Sequence, residues 1–130
     1  MTDPTKVINF GSLRFIVPSS ASIKTLYKSI TTGSNYYTLE EAGTDYMVPT
    51  NKKFWILAVI VAHGTTVSTP MLQKHTAADS GAGTELIRVA GGTTTGITPV
   101  FISIEAGKYI NMGSSEHNTY VTVFGVELDV

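Results

Sequence analysis

Apolar residues in this chain recur at alternate positions, in short runs broken by Gly, Pro, Asn and Ser. A period of two with that punctuation predicts strands. "SLRFIV" ends at Pro18, "NYYTL" follows a "TTGS" turn, and "DYMV" ends at Pro49. Beyond "HGTT" come "VSTPML", "TELIRV", "TPVFISI", a short "YINM" and the closing "TYVTVFGVEL", separated by "KHTAADSGAG", "AGGTTTG", "EAGK" and "GSSEHN". Only "SIKTLYKSI" sets Ile23, Leu26, Tyr27 and Ile30 at helical spacing, and its Ser and Thr content with the turn that follows favours a strand. The expected fold is all-β, a jelly-roll-like antiparallel β-sandwich of about eight to ten short strands. It is expected as one domain over residues 1–130, with 1–18 as a candidate extended N-terminal arm.

One run departs from the alternation. From Phe54 to Ala62 every residue is apolar. As a strand it sends Phe54, Ile56, Ala58, Ile60 and Ala62 to one side and Trp55, Leu57, Val59 and Val61 to the other, so both faces need cover. Each large side chain left bare forgoes about 1.5–3 kcal/mol. Two covers are open, the chain's own segment from Lys6 to Val17, apolar in "VINF" and "LRFIV", or a second subunit, and a third reading leaves Trp55 exposed for stacking or ligand binding. On the second reading Phe15, Trp55, Leu57, Val59 and Val61 form the oligomer interface. The run is too short for a transmembrane helix, which needs about 20 apolar residues. "MTDPTKVINF" lacks the basic start and apolar middle of a secretory signal, so a soluble, unprocessed chain and no membrane partner are expected.

Composition narrows the chemistry. The chain has no cysteine, which excludes disulfides and thiolate catalysis. Its net charge is −1 with nine scattered basic residues, not the footprint of a nucleic-acid binder. Charged residues make up 15% of the chain, against about 25% in an average protein, and Thr, Ser, Asn and Gly fill the polar positions. The exterior is therefore hydroxyl-rich or covered by neighbours.

Candidate catalytic groups are few. His63, His75 and His117 lack the paired spacing of a metal site, and the closely paired histidines of cupin enzymes are missing. His75, Asp79 and Glu85 could meet in the loop from Lys74 to Gly83 but read as solvated polar residues. Ser114, Ser115, Glu116 and His117 are sequence neighbours, whereas triad members converge from separate segments. Adjacent Glu40 and Glu41 read as a solvated turn, and "GAGT" and "AGGTTTG" as hairpin turns without the lysine of a phosphate loop. No enzyme activity, metal or cofactor is expected.

"YMVPTNKKFWILAVIV", "IEAGKYINM" and "TYVTVFGVELD" together resemble small jelly-roll structural proteins of tailed bacteriophage particles: capsid decoration or cement proteins and related tail β-sandwich modules. The resemblance spans about residues 44–129. Pro49 and "TNK" start a strand, Gly107 permits a tight bend before Tyr109, and Gly125 relaxes or bulges the last strand. Such proteins act as symmetric oligomers, often trimers, that clamp neighbouring shell subunits. The resemblance implies a virion structural protein on the capsid surface, made in the host cytoplasm, a homo-oligomer with a trimer favoured, whose partner is the major capsid protein or another virion protein. The alternative is a carbohydrate- or receptor-binding module of a tail or fibre, with Tyr36, Tyr37, Tyr109 or Tyr120 exposed at one end of the sandwich.

Overall fold

The computed structural model describes residues 4–30, 36–63, 70–89, 96–113 and 119–130. Among them there is no helix, and twelve strands run in antiparallel sheets. An N-terminal hairpin, β1 (Thr5–Phe10) and β2 (Leu13–Pro18), precedes β3 (Ser22–Ile30), which realises "SIKTLYKSI" as a strand. Next come β4 (Tyr36–Thr38), the two-residue strands β5 (Glu40–Glu41) and β6 (Thr44–Asp45), and the long β7 (Lys52–His63). β8 (Met71–His75), β9 (Thr84–Arg88), β10 (Gly96–Glu105), β11 (Tyr109–Gly113) and β12 (Thr119–Asp129) complete the order.

The strands form a β-sandwich. One sheet has the order β10-β7-β12-β3-β5-β6 and the other β4-β11-β8-β9. The pairings are nested: β3 with β12, β4 with β11, β7 with β10, and β8 with β9. The middle of the chain is thus one long hairpin whose innermost pair is β8 and β9. Of the seven steps from β3 to β12, with β5 and β6 counted inside the step from β4 to β7, six cross from one sheet to the other and only β8 to β9 stays within one.

Between the sheets lies a core of Leu26, Phe54, Ile56, Val59, Val61, Ile104, Val121 and Val123 from the larger sheet against Leu72, Ile110 and Met112 from the smaller. A second core lies on the other side of the larger sheet. There Ile8, Phe15 and Val17 of the hairpin close over Leu57, Ala58, Phe124 and Val126, with Phe10, Leu13 and Trp55 at the margin. Phe10 stacks on Phe124 at 4.4 Å, and Phe15 meets the same ring edge-on at 6.3 Å. Residues 5–18 are therefore not an extended arm. Gly11 and Ser12 turn them back, with Gly11 at φ +60, the positive value a type II′ hairpin turn demands at its first central position.

Strict alternation in β7 fails at Leu57. On β12, Phe124 pairs with Ala58 and Gly125 with Ile56, so Leu57 is an extra residue between them. This β-bulge exchanges the two faces. Phe54, Ile56, Val59 and Val61 share the inner side, while Trp55, Leu57 and Ala58 meet the hairpin. The expected grouping of Val59 and Val61 with Trp55 and Leu57 is thereby corrected. Val100, Ile102 and Ile104 face inward, whereas Phe101 and Glu105 are exposed, as their alternation predicts.

Turns fall where the sequence marks them. Lys52 N–H donates to the Pro49 carbonyl at 3.1 Å with Asn51 at φ 63, and Gly107 at φ 81 makes the bend before β11. Glu40 and Glu41 form a strand, not an open turn, and their carboxylates pair with Lys28 and Lys24, each at 3.0 Å. The expected turn "TTGS", residues 90–95 of the turn "AGGTTTG" and the neighbours Ser114, Ser115, Glu116 and His117 lie outside the described residues, as does the His63 side chain.

Candidate interaction surface

A strand pair that covers a sheet has an outside of its own. In the hairpin Ile8, Phe15 and Val17 point inward, so Val7 and Ile16, directly opposite each other in the register, point out. Ile16 is 67% exposed, and Phe101 on the edge strand β10 is 66% exposed beside Phe15, ring to ring at 6.0 Å. Single exposed apolar side chains are common on protein surfaces, but Ile16 and Val7 on the hairpin and Phe101 on β10 are large apolar groups left open, of the kind partners cover.

The hairpin also leaves part of the larger sheet uncovered. Ile97, Ile60, Thr122 and Tyr27 form one row across four strands by register. Tyr120 lies diagonally from Tyr27 on the adjacent strand, and these rings are 38% and 48% exposed. The tip of the hairpin stops at Ile97: a Cβ on Gly11 would lie 2.6 Å from Ile97 Cδ1. The outer face is thus divided into a covered half and a half lined by aromatic, hydroxyl and aliphatic groups.

The residues expected at an interface are distributed otherwise. Val59 and Val61 are buried between the sheets, and Leu57 and Phe15 are buried under and in the hairpin; Trp55 alone keeps partial exposure. Four of the five are committed to the chain's own cores, Phe15 and Leu57 because the hairpin supplies the second face and Val59 and Val61 because the bulge turns them between the sheets. Signals for Ile16 and Phe101 were present as apolar residues at the polar positions of alternating strands.

The loop between β8 and β9 is held by a polar network. Thr38 Oγ1 donates to Asn111 Oδ1 at 2.7 Å and accepts from the Asp79 N–H at 2.8 Å, while the Thr38 N–H donates to Asp79 Oδ1 at 2.9 Å. Asn111 Nδ2 donates to the Ala77 and Ser80 carbonyls at 3.0 and 2.9 Å. Tyr36 fills the space beside Gly81 and Gly113. His75, Asp79 and Glu85 do not converge: Asp79 serves Thr38 and Glu85 pairs with Arg88 at 2.6 Å.

Ser80 Oγ lies 3.2 Å from His75 Nε2, the spacing of a nucleophile and its base. The proton is on the wrong nitrogen for that role. The Ala77 N–H donates to His75 Nδ1 at 2.7 Å, so Nδ1 is bare and Nε2 carries the hydrogen that it gives to Ser80. His75 fastens the loop in this arrangement.

The tyrosines do not gather at one end. Tyr36 and Tyr37 stand in β4, with Lys28 Nζ 5.9 Å from the Tyr37 ring centroid, Tyr109 opens β11, and only Tyr120 of the four is exposed. No family model matches the chain, and no curated protein matches it.

Proposed function

We propose that the chain is a non-enzymatic virion structural protein, a decoration or cement protein on the capsid of a tailed bacteriophage, working as a homo-oligomer against the major capsid protein. The exposed pair of Ile16 and Phe101 carries the reading: the fold buries its long apolar strand internally and still presents large apolar side chains outside. The nested strand pairing is read as a jelly roll, two Greek keys made by rolling up one long hairpin. The His75 tautomer favours a scaffold over a hydrolase. Imaging native virions of the source by cryo-electron microscopy tests this: density for the chain in rings on the head is expected, and its absence from purified virions would refute the reading.

A second reading, a glycan-binding tail module, draws on Tyr27 and Tyr120 beside Thr122 on the open half of the sheet, since flat aromatic faces stack on sugar rings. Glycan-array binding lost on Tyr27→Ala would favour it; binding to intact heads with no glycan signal would favour cementing.

A further inference from the structure

The end of the sandwich nearest the β5–β6 hairpin holds a carboxylate that the fold only half satisfies. Glu127, near the end of β12, is 8% exposed, and Oε2 accepts the Tyr46 hydroxyl proton at 2.6 Å. No other described residue donates to this carboxylate. Burying a carboxylate with one neutral donor is costly, and a cation is the usual remedy.

The carboxylate lines an open pocket of about 280 Å³. Glu41 and Asp45 stand in its wall with Lys24, and Lys24 is held by Glu41 at 3.0 Å, so its charge is already spent. Three acidic residues and one lysine thus line the pocket. Partial desolvation, then the carboxylates of Asp79 and Glu40, hold Asp45 above its ordinary pKa, with Lys28 opposing them. The mouth is apolar: Pro49 and the half-exposed Met47 complete the lining. An alkyl stem against Met47 and Pro49 with a charged head at Glu127 matches the two halves of a long basic side chain.

We infer that this pocket receives a lysine or arginine side chain of a partner protein, its charged head on Glu127 and Asp45 and its stem on Met47 and Pro49. The site stands on its own geometry and holds whether or not the partner is a capsid subunit. A bare divalent ion is the poorer occupant, since no group of three acidic or histidine side chains among the described residues is arranged around a metal position.

The test is an NMR titration of the intact chain with the blocked single amino acids N-acetyl-lysine methylamide, its arginine counterpart and the uncharged norleucine analogue. Saturable shifts confined to Tyr46, Met47 and Glu127 are expected with the two basic probes and none with norleucine. Asp45→Asn, at an exposed position, should weaken the basic probes about threefold with the fold unchanged, and Glu127→Gln, which keeps the Tyr46 hydrogen bond, should abolish saturation. Equal shifts from norleucine, shifts from calcium chloride alone, no saturable shift from any probe, or indifference to Asp45→Asn would overturn the proposal.

Discussion

Gly125 shows how one missing side chain permits a close approach. A Cβ there would lie 2.3 Å from the Trp55 carbonyl oxygen and 2.4 Å from Phe54 Cζ, so backbone and a buried ring must both give way. Gly125→Ala is expected to cost about 1–3 kcal/mol in urea denaturation; an unchanged midpoint would show that the approach is looser. Ala42 presents the reverse case, a side chain held at φ 50 in the two-residue turn between β5 and β6. Asn tolerates that conformation, so Ala42→Asn should stabilise by up to about 1 kcal/mol, read as a rise in melting temperature. Burial, then the hydrogen bond to Glu127 and its charge, raise the Tyr46 hydroxyl far above its ordinary pKa. The unfolded chain loses this proton near pH 10, so the contribution is whole below that pH and drains away above it. An alkaline titration should find Tyr46 still protonated above the pH at which a free tyrosine ionises, and Tyr46→Phe should flatten the loss of stability above about pH 10. Gly125 was legible in the sequence as an interruption of the last strand. The bulge at Leu57 was not, because a bulge is set by the match between two strands, and nine apolar residues in a row carry no mark of where the faces exchange.

The N-terminal hairpin decides what β7 means. Without it Leu57, Ala58, Phe124 and Val126 would form a bare apolar face, and the sheet would need a second subunit. Phe15 touches the Phe124 and Phe101 rings, and Phe15→Ala is expected to cost about 3 kcal/mol by chemical denaturation while exposing a surface that binds a hydrophobic dye. If the cost is small, the hairpin only rests on the sheet. The element was half legible: "VINF" and "LRFIV" read as apolar, and Gly11-Ser12 between them is a two-residue hairpin signal, yet residues 1–18 also suit an extended arm. Which it is depends on whether an apolar face waits within reach. The two-sheet architecture itself was plain, since alternation and turn residues survive in any strand order, whereas the nested pairing is a property of long-range register that no local pattern records.

Across the whole molecule, buried apolar residues hold the chain together, and exposed ones are the groups proposed to hold it to others. Leu57 belongs to the first group and Phe101 to the second, although both are large apolar side chains on the larger sheet. The most direct test is to measure mass by light scattering and stability by urea denaturation on Leu57→Asp and Phe101→Asp side by side. The prediction is that Leu57→Asp unfolds or aggregates, because its charge is trapped under the hairpin, while Phe101→Asp melts within about 0.5 kcal/mol of the parent and loses the oligomer. A Leu57→Asp chain that is a stable, folded monomer, or a Phe101→Asp chain that keeps its full assembled mass, would contradict it.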